Sequence, residues 1–341
     1  MTLLNQNSIL DYTPSQLQAW LTEQGYPGYH TRQIFQWLYQ RKVTDFDDMS
    51  DLSKSLRLQL KESFYIETPP IRARQEDPGD GTVKCLFQLR DEEAVEAVLM
   101  PRYPERVKTN PRTGEIQDRK NLPVEGYTTC LSTQVGCMYA CRFCASGQLG
   151  LKRNMTAGEM VAQVMAFHRQ EKPVSRIVFM GTGEPLHNID SLRRAIEILT
   201  HKDGLNFSSR RITVSTVGLV PEIYRIGREG WKVKLAISLH ATTDEKRSNI
   251  MPLARAYHLD QLKDALKYYQ RCNGRRISFE YLLLGGVNDS PKDAERLQQF
   301  CHELLCHVNL IPYNSISKST FRPSNSERIQ NFRNCLRSGK I

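Results

Sequence analysis

No stretch of this chain holds the roughly 18 consecutive apolar residues needed to cross a bilayer. The opening MTLLNQNSILDYTPSQ has neither the basic start nor the long apolar core of a secretory signal. The expectation is a cytoplasmic protein with no membrane partner. Internal repeats, beyond an alternation of strand and helix patterns, and low-complexity tracts are also missing. With 40% apolar and 25% charged residues, the composition fits neither a disordered nor a membrane chain. Acid is in short supply: 47 Lys and Arg stand against 37 Asp and Glu, a formal charge of +10. Such a surplus either holds a protein near a polyanion or simply keeps a basic surface soluble. A disulfide framework is not expected from nine cysteines in a long chain of a reducing compartment. That leaves core packing, metal ligation or nucleophilic chemistry for them.

The 341 residues suffice for two or three structural units. Residues 1–66 read as a small helical domain, with a cap at Thr13 to Ser15 before LQAWLTEQG and helix-spaced apolar residues in TRQIFQWLYQRK and SKSLRLQLKESF. Trp20, Phe35, Trp37 and Leu38 are read as its core. Residues 67–125 form a connector, in which VKCLFQLRDEEAVEAVLMP predicts a β-hairpin. The stretch from Arg102 to Glu125, rich in Pro, Gly and charge, predicts an exposed connection. Residues 126–341 alternate strand and helix. Strands are predicted at 128–132, 176–180, 211–216, 233–239, 277–284 and 307–311, with helical patterns between them. Six β/α units imply an α/β fold with a parallel sheet, too few for a closed eight-fold barrel, so the prediction is an open, partial (β/α)6 barrel. Chemistry in such folds sits at the carboxyl ends of the strands.

The strongest local signal is Cys137-Met-Tyr-Ala-Cys141-Arg-Phe-Cys144, just after the first of those strands. Three thiolates on one short loop can converge on a soft metal centre. A closed zinc site wants a fourth ligand, and none follows at finger-like spacing, whereas three cysteines suit a four-iron, four-sulfur cluster with one iron open.

C-x3-C-x2-C with an aromatic residue before its last cysteine resembles the cluster loop of the radical S-adenosylmethionine (SAM) superfamily. Within it, TTCLSTQVGCMYACRFCASGQLGLKRNMTAGEMVAQV, FMGTGEPLHN, SSRRITVSTVG, AISLHATTDEKRSNIMP and NLIPYN are similar to the RlmN/Cfr group, radical-SAM methyltransferases of adenosine in ribosomal and transfer RNA. The resemblance covers nearly the whole chain. It implies one 4Fe-4S cluster on Cys137, Cys141 and Cys144, with SAM bound by its open iron. Gly183, Glu184, Ser215, Ser238, Leu239, His240 and Asn314 are implied to contact SAM. Read alone, Gly183-Glu184 is a tight strand-to-helix turn, and Ser238 and His240 are ordinary strand-end polar residues.

For catalysis the resemblance implies two residues. Glu96, otherwise an outward-facing hairpin glutamate, takes the C2 proton of adenine. Cys130, otherwise a packed core cysteine, resolves a covalent enzyme-RNA intermediate and leaves a disulfide. Two SAM molecules are implied, one methylating a carrier cysteine and one supplying a radical, with electrons from a donor such as flavodoxin. The implied substrates are 23S ribosomal RNA and/or transfer RNA, and the protein is expected to be a monomer.

The family's carrier cysteine lies in a tail of the form R-G-x-D-I-x-A-A-C-G-Q-L, which these residues do not contain. Cys335, in SERIQNFRNCLRSG, matches the helix before that tail and is not assigned the role. The expectation is therefore either a chain cut short of a functional enzyme or a form that cannot complete the reaction. A radical-SAM enzyme with another substrate is a further alternative. Basic pairs at Arg210-Arg211, Lys246-Arg247 and Arg275-Arg276, with the cations of the connector from Arg102 to Lys120, are candidates for phosphate contact.

Overall fold

The structure, a computed structural model, describes residues 6–104, 123–170, 172–317 and 319–339. Residues 105–122 take most of the charged connector, with Arg106, Lys108, Arg112, Arg119 and Lys120, outside the described residues. The chain divides into two compact units, the first made of Met1–Val135, Asn154–Thr182 and Asn188–Ile212. The second is made of Gly136–Arg153, Gly183–His187 and Thr213–Ile341.

The first unit begins with helices α1 (Pro14–Glu23), α2 (His30–Phe35) and α3 (Lys54–Ser63). Thr13 starts α1 with a capping box: its side chain accepts from the Gln16 N–H, and Gln16 accepts from the Thr13 N–H. The sequence predicts one continuous helix over TRQIFQWLYQRK; the structure ends α2 at Phe35 and continues as a π-helical turn, Gln36–Gln40. Phe35, Trp37 and Leu38 are buried as expected. Trp20 corrects the expectation: it is half-buried, its ring set edge-on to Phe64 at 4.8 Å.

Five strands follow: β1 (Ile71–Glu76), β2 (Val83–Gln88), β3 (Ala94–Arg102), β4 (Gly126–Cys130) and β5 (Val174–Phe179). The predicted hairpin is β2–β3, and β1 to β4 pair antiparallel, whereas β4 and β5 pair parallel. Cys85, Phe87, Val95, Ala97, Leu99, Ile177 and Phe179 form a buried face. It meets helix α4 (Ala157–His168) where Phe87 and Phe167 contact edge to face at 5.6 Å. Helix α5 (Ile189–Thr200) packs beside α4. Period-2 alternation carries Glu96, Val98 and Cys130 to the opposite face.

The second unit carries the strands β6 (Ile212–Thr216), β7 (Lys234–Ser238), β8 (Ile277–Leu283) and β9 (Cys306–Pro312), all parallel to their neighbours. Between and after them run α6 (Val220–Arg228), α7 (Asp244–Ile250), α8 (Leu259–Asn273), α9 (Pro291–Cys301) and α10 (Ser326–Ser338). β8 is buried almost throughout, as strands covered on both faces are. All six predicted β/α strands are present, each within a few residues of its expected span, and the fold is α/β.

Candidate active site

The cysteine loop belongs to the second unit. Gly136 enters it at φ +78°, and a Cβ there would lie 1.7 Å from the Gly150 carbonyl oxygen, so only glycine fits. The Cys137 N–H donates to that same oxygen at 2.9 Å, and the Arg142 N–H donates to the Ile250 carbonyl at 3.0 Å. The loop is thereby tied at both ends. Cys141 sits in an apolar cluster with Ala241, Ile250, Met251, Leu282, Leu284 and Tyr313, against which Tyr139, Phe143 and Cys144 pack. Burial pushes the Cys137 thiol up and the Cys141 thiol up to about 12, with the neighbouring thiols adding to both shifts. The three sulfurs therefore lie close enough to feel one another, in surroundings that disfavour thiolates until a cation is present.

Glu184 is 2% exposed. One carboxylate oxygen accepts from the Leu186 N–H at 3.0 Å and the other from the Val217 N–H at 2.8 Å. Burial raises its pKa to about 7, against the lowering effect of those bonds and of Thr216. It also presses on Cys137 and Cys141 electrostatically, which places it beside the loop. Gly183 precedes it at φ +108°.

His240 follows β7 at φ +56° and is 4% exposed. Its Nδ1 accepts from the Leu282 N–H at 3.0 Å, so the ring is neutral, and burial lowers its pKa to about 3. The imidazole meets Phe143 edge to face at 4.7 Å, linking the strand end to the cysteine loop. Ser215 and Ser238 are half-buried and Leu239 fully buried, whereas Asn314 is exposed just beyond β9. By register Ser215 and Ser238 share one face of the sheet.

Arg247 is read from sequence as half of a phosphate-contacting pair, and the structure corrects this. It is 1% exposed, and its guanidinium donates to the carbonyls of Val217 (2.6 Å), Leu239 (3.3 Å) and Ser238 (3.4 Å). Its companion Lys246 is paired at 2.6 Å with the buried Asp293. Sequence reasoning also passes over Glu280 and Asn309, paired across β8 and β9 at 2.8 Å, with Glu280 in register with Ser238. The available signal was a lone acid within the apolar run ISFEYLLL.

Glu96 and Cys130 lie in the first unit. Cys130 stands opposite Val98 on β3, and the Ser132 hydroxyl donates to the Glu96 carbonyl at 2.6 Å, so Glu96 and Cys130 project from one face two residues apart. Glu96 is exposed and paired with Lys84 at 3.1 Å. Burial holds the Cys130 thiol up at about 11, despite a bond from the Met180 backbone. All nine cysteines are free. Among the described residues no three His, Cys, Asp or Glu side chains are gathered tightly enough to hold a single metal ion, and no helix is long and apolar enough to cross a membrane.

The sequence model of the radical SAM superfamily matches residues 131–297, and that of the ribosomal RNA large subunit methyltransferase N-terminal domain matches residues 7–66. A crystal structure of a radical SAM methyltransferase from Sphaerobacter thermophilus superposes with a TM-score of 0.87 at 42% identity, covering 98% of this chain and 93% of that one. The fold and the cysteine loop thus define a radical SAM protein. Relatives described as probable dual-specificity RNA methyltransferase RlmN are 43% identical in Geobacillus kaustophilus (98% of this chain, 87% of the relative) and 39% in Clostridium novyi (96% and 90%). The chain belongs to the RlmN family.

Proposed function

We propose that this protein methylates C2 of adenosine in 23S ribosomal RNA, transfer RNA or both, in the cytoplasm and as a monomer. Its organisation would be a helical domain (1–66), a connector (67–125) and a partial barrel (126–341). The observation that carries this reading is the Cys137–Cys144 loop, held against an apolar cluster with Glu184 and His240 around it.

Cys137, Cys141 and Cys144 would hold the 4Fe-4S cluster; the donor set is all sulfur, with Cys141 buried and the other two half-buried, and short of one ligand, which fits an open iron. When loaded by a donor such as flavodoxin and by SAM, this centre supplies radical chemistry at a carbon too electron-poor for direct methyl transfer. Glu184, fixed by two backbone N–H groups, would accept from the ammonium of SAM, and Gly183 would let backbone come close. Ser215, Ser238, Leu239, His240 and Asn314 would line the rest of the cofactor. Tyr139 and Phe143 would keep water away. Glu96 would receive the C2 proton at its carboxylate, and Cys130, a neutral thiol at pH 7, would complete release of the methylated base.

Anaerobic reconstitution tests the centre. Brown protein with about four irons per chain is expected, lost in Cys141→Ala, whereas zinc in place of iron would overturn the reading. For the product, RNA treated with the protein from its full reading frame should contain 2-methyladenosine by mass spectrometry. Glu96→Gln should slow its formation by at least about 100-fold with iron content unchanged.

A further inference from the structure

The first unit contains a cleft of about 570 Å³ that the proposed chemistry does not use. It lies within the size range of small-ligand sites, large enough for a nucleotide. Tyr12 and Trp20 form an aromatic wall, both set edge-on against Phe64 at 4.8 Å. Phe64 is buried, so it fixes both rings while leaving them half-buried. Asp11 lies in the floor, one oxygen accepting from the Gly158 N–H at 2.6 Å at the start of α4.

Two further lining residues carry opposite charges, Glu23 at the end of α1 and Arg194 on α5. They do not pair with each other. Neither has an ion pair or a side-chain hydrogen bond to any other described residue, although Arg194 is half-buried. Arg194 acts on the Asp11 carboxyl through space but makes no ion pair with it, so its guanidinium fork is left for a ligand that supplies an acceptor. The complementary ligand is flat, offers paired donors on one edge and paired acceptors on the other. Guanine meets all three conditions: N1–H and N2–H suit a carboxylate, and O6 with N7 suits an arginine fork. Adenine has neither pair.

We propose that this cleft is a guanine-reading subsite, which takes an extruded guanine of the RNA substrate between Glu23 and Arg194 and against the Trp20 ring. The proposal rests on the reading that the chain acts on RNA. A second base held in this way would select which loop is presented, as single-stranded RNA is usually recognised by splayed bases stacked on aromatic side chains.

Fluorescence makes the test direct, because Trp37 and Trp231 are 8% and 9% exposed and Trp20 is the accessible reporter. Titration with GMP is expected to quench Trp20 saturably, with AMP about tenfold weaker, the lower range of what one bidentate base contact contributes. Glu23→Gln and Arg194→Ala should each weaken GMP by about tenfold. Arg194→Lys, which keeps the charge and spares the fold, should weaken it as well, since it loses the two-pronged contact. Equal quenching by AMP and GMP, or unaltered GMP binding by Glu23→Gln, would overturn the subsite. The source of the base is read with a short hairpin RNA carrying one loop guanine, compared with its inosine analogue, which lacks N2. Weaker binding of the inosine RNA to the wild type but not to Glu23→Gln supports RNA. Equal binding of both RNAs alongside selective GMP binding would overturn the RNA assignment in favour of a free guanine nucleotide. None of these measurements needs iron, SAM or methyl transfer, so failure to form 2-methyladenosine would sink the proposed function and leave this subsite standing.

Discussion

His240 shows what burial does to a single side chain. Its Nδ1 accepts a backbone hydrogen bond from Leu282, so a proton there would both displace that donor and place a buried charge near the Arg247 guanidinium. The folded pKa of about 3 lies below the unfolded value of 6.5. Stability from this residue is thus present above pH 6.5 and lost as pH falls, because only the unfolded chain takes up the proton. Between pH 7 and 5 the loss is about 2 kcal/mol, since one unit of pKa is worth about 1.4 kcal/mol. Buried Glu184, raised to about 7, works in the opposite sense over the same range, so the His240 share is read as the difference between wild type and His240→Gln in how urea stability changes from pH 7 to 5; an identical change in the variant would refute the assignment. Gly136 is constrained by space and backbone conformation together. Gly136→Ala drives a Cβ toward the Gly150 carbonyl at a φ that L residues rarely adopt, which costs about 1–3 kcal/mol. A lower melting temperature and poorer iron loading are expected, and normal iron loading would show that the loop tolerates another path.

At the scale of elements, Arg247 is the tie of the second unit. From α7 it reaches the backbone carbonyls that end β6 and β7, groups that the parallel ladder cannot satisfy beyond its last register pairs. Arg247→Met should strip the Val217 carbonyl of its 2.6 Å donor in a buried site while the Leu239 carbonyl keeps the Ala241 N–H, at about 1–3 kcal/mol. A shift in the urea midpoint worth less than about 1 kcal/mol would show that water replaces the guanidinium there. Such a role is hidden in sequence, where Lys246-Arg247 has the look of an ordinary basic pair. The strands of both units were legible for a simple reason: RIVFM, RITVST and VKLAISL each bury apolar residues, and burial is what produces a pattern. Ile71–Glu76 buries nothing, all six residues being exposed, so IRARQE carries no periodicity and its pairing with Val83–Gln88 could not be foreseen. The cysteine loop was legible because ligand spacing is local. Glu280 with Asn309 was not, because parallel pairing joins residues 29 positions apart.

The charge of the whole molecule, +10, sets how it meets RNA only through cations that are free to release counterions. Arg210 and Arg211 are exposed and have no acidic partner among the described residues, so each is available to a phosphate. Lys246 is neutralised by the buried Asp293, and Arg247 is out of reach of solvent. For single-stranded RNA each phosphate contact contributes about 0.7 to the slope of log affinity against log salt. Arg210→Ala with Arg211→Ala should therefore flatten the slope by about 1.4, with affinity falling similarly for all sequences. Lys246→Gln should destabilise the fold through Asp293 yet leave the slope unchanged. Filter binding across a salt series separates the two cases. A flatter slope in Lys246→Gln, or an unchanged one in the double variant, would mean that the RNA approaches from elsewhere and that the surplus charge of the Arg210-Arg211 pair serves only solubility.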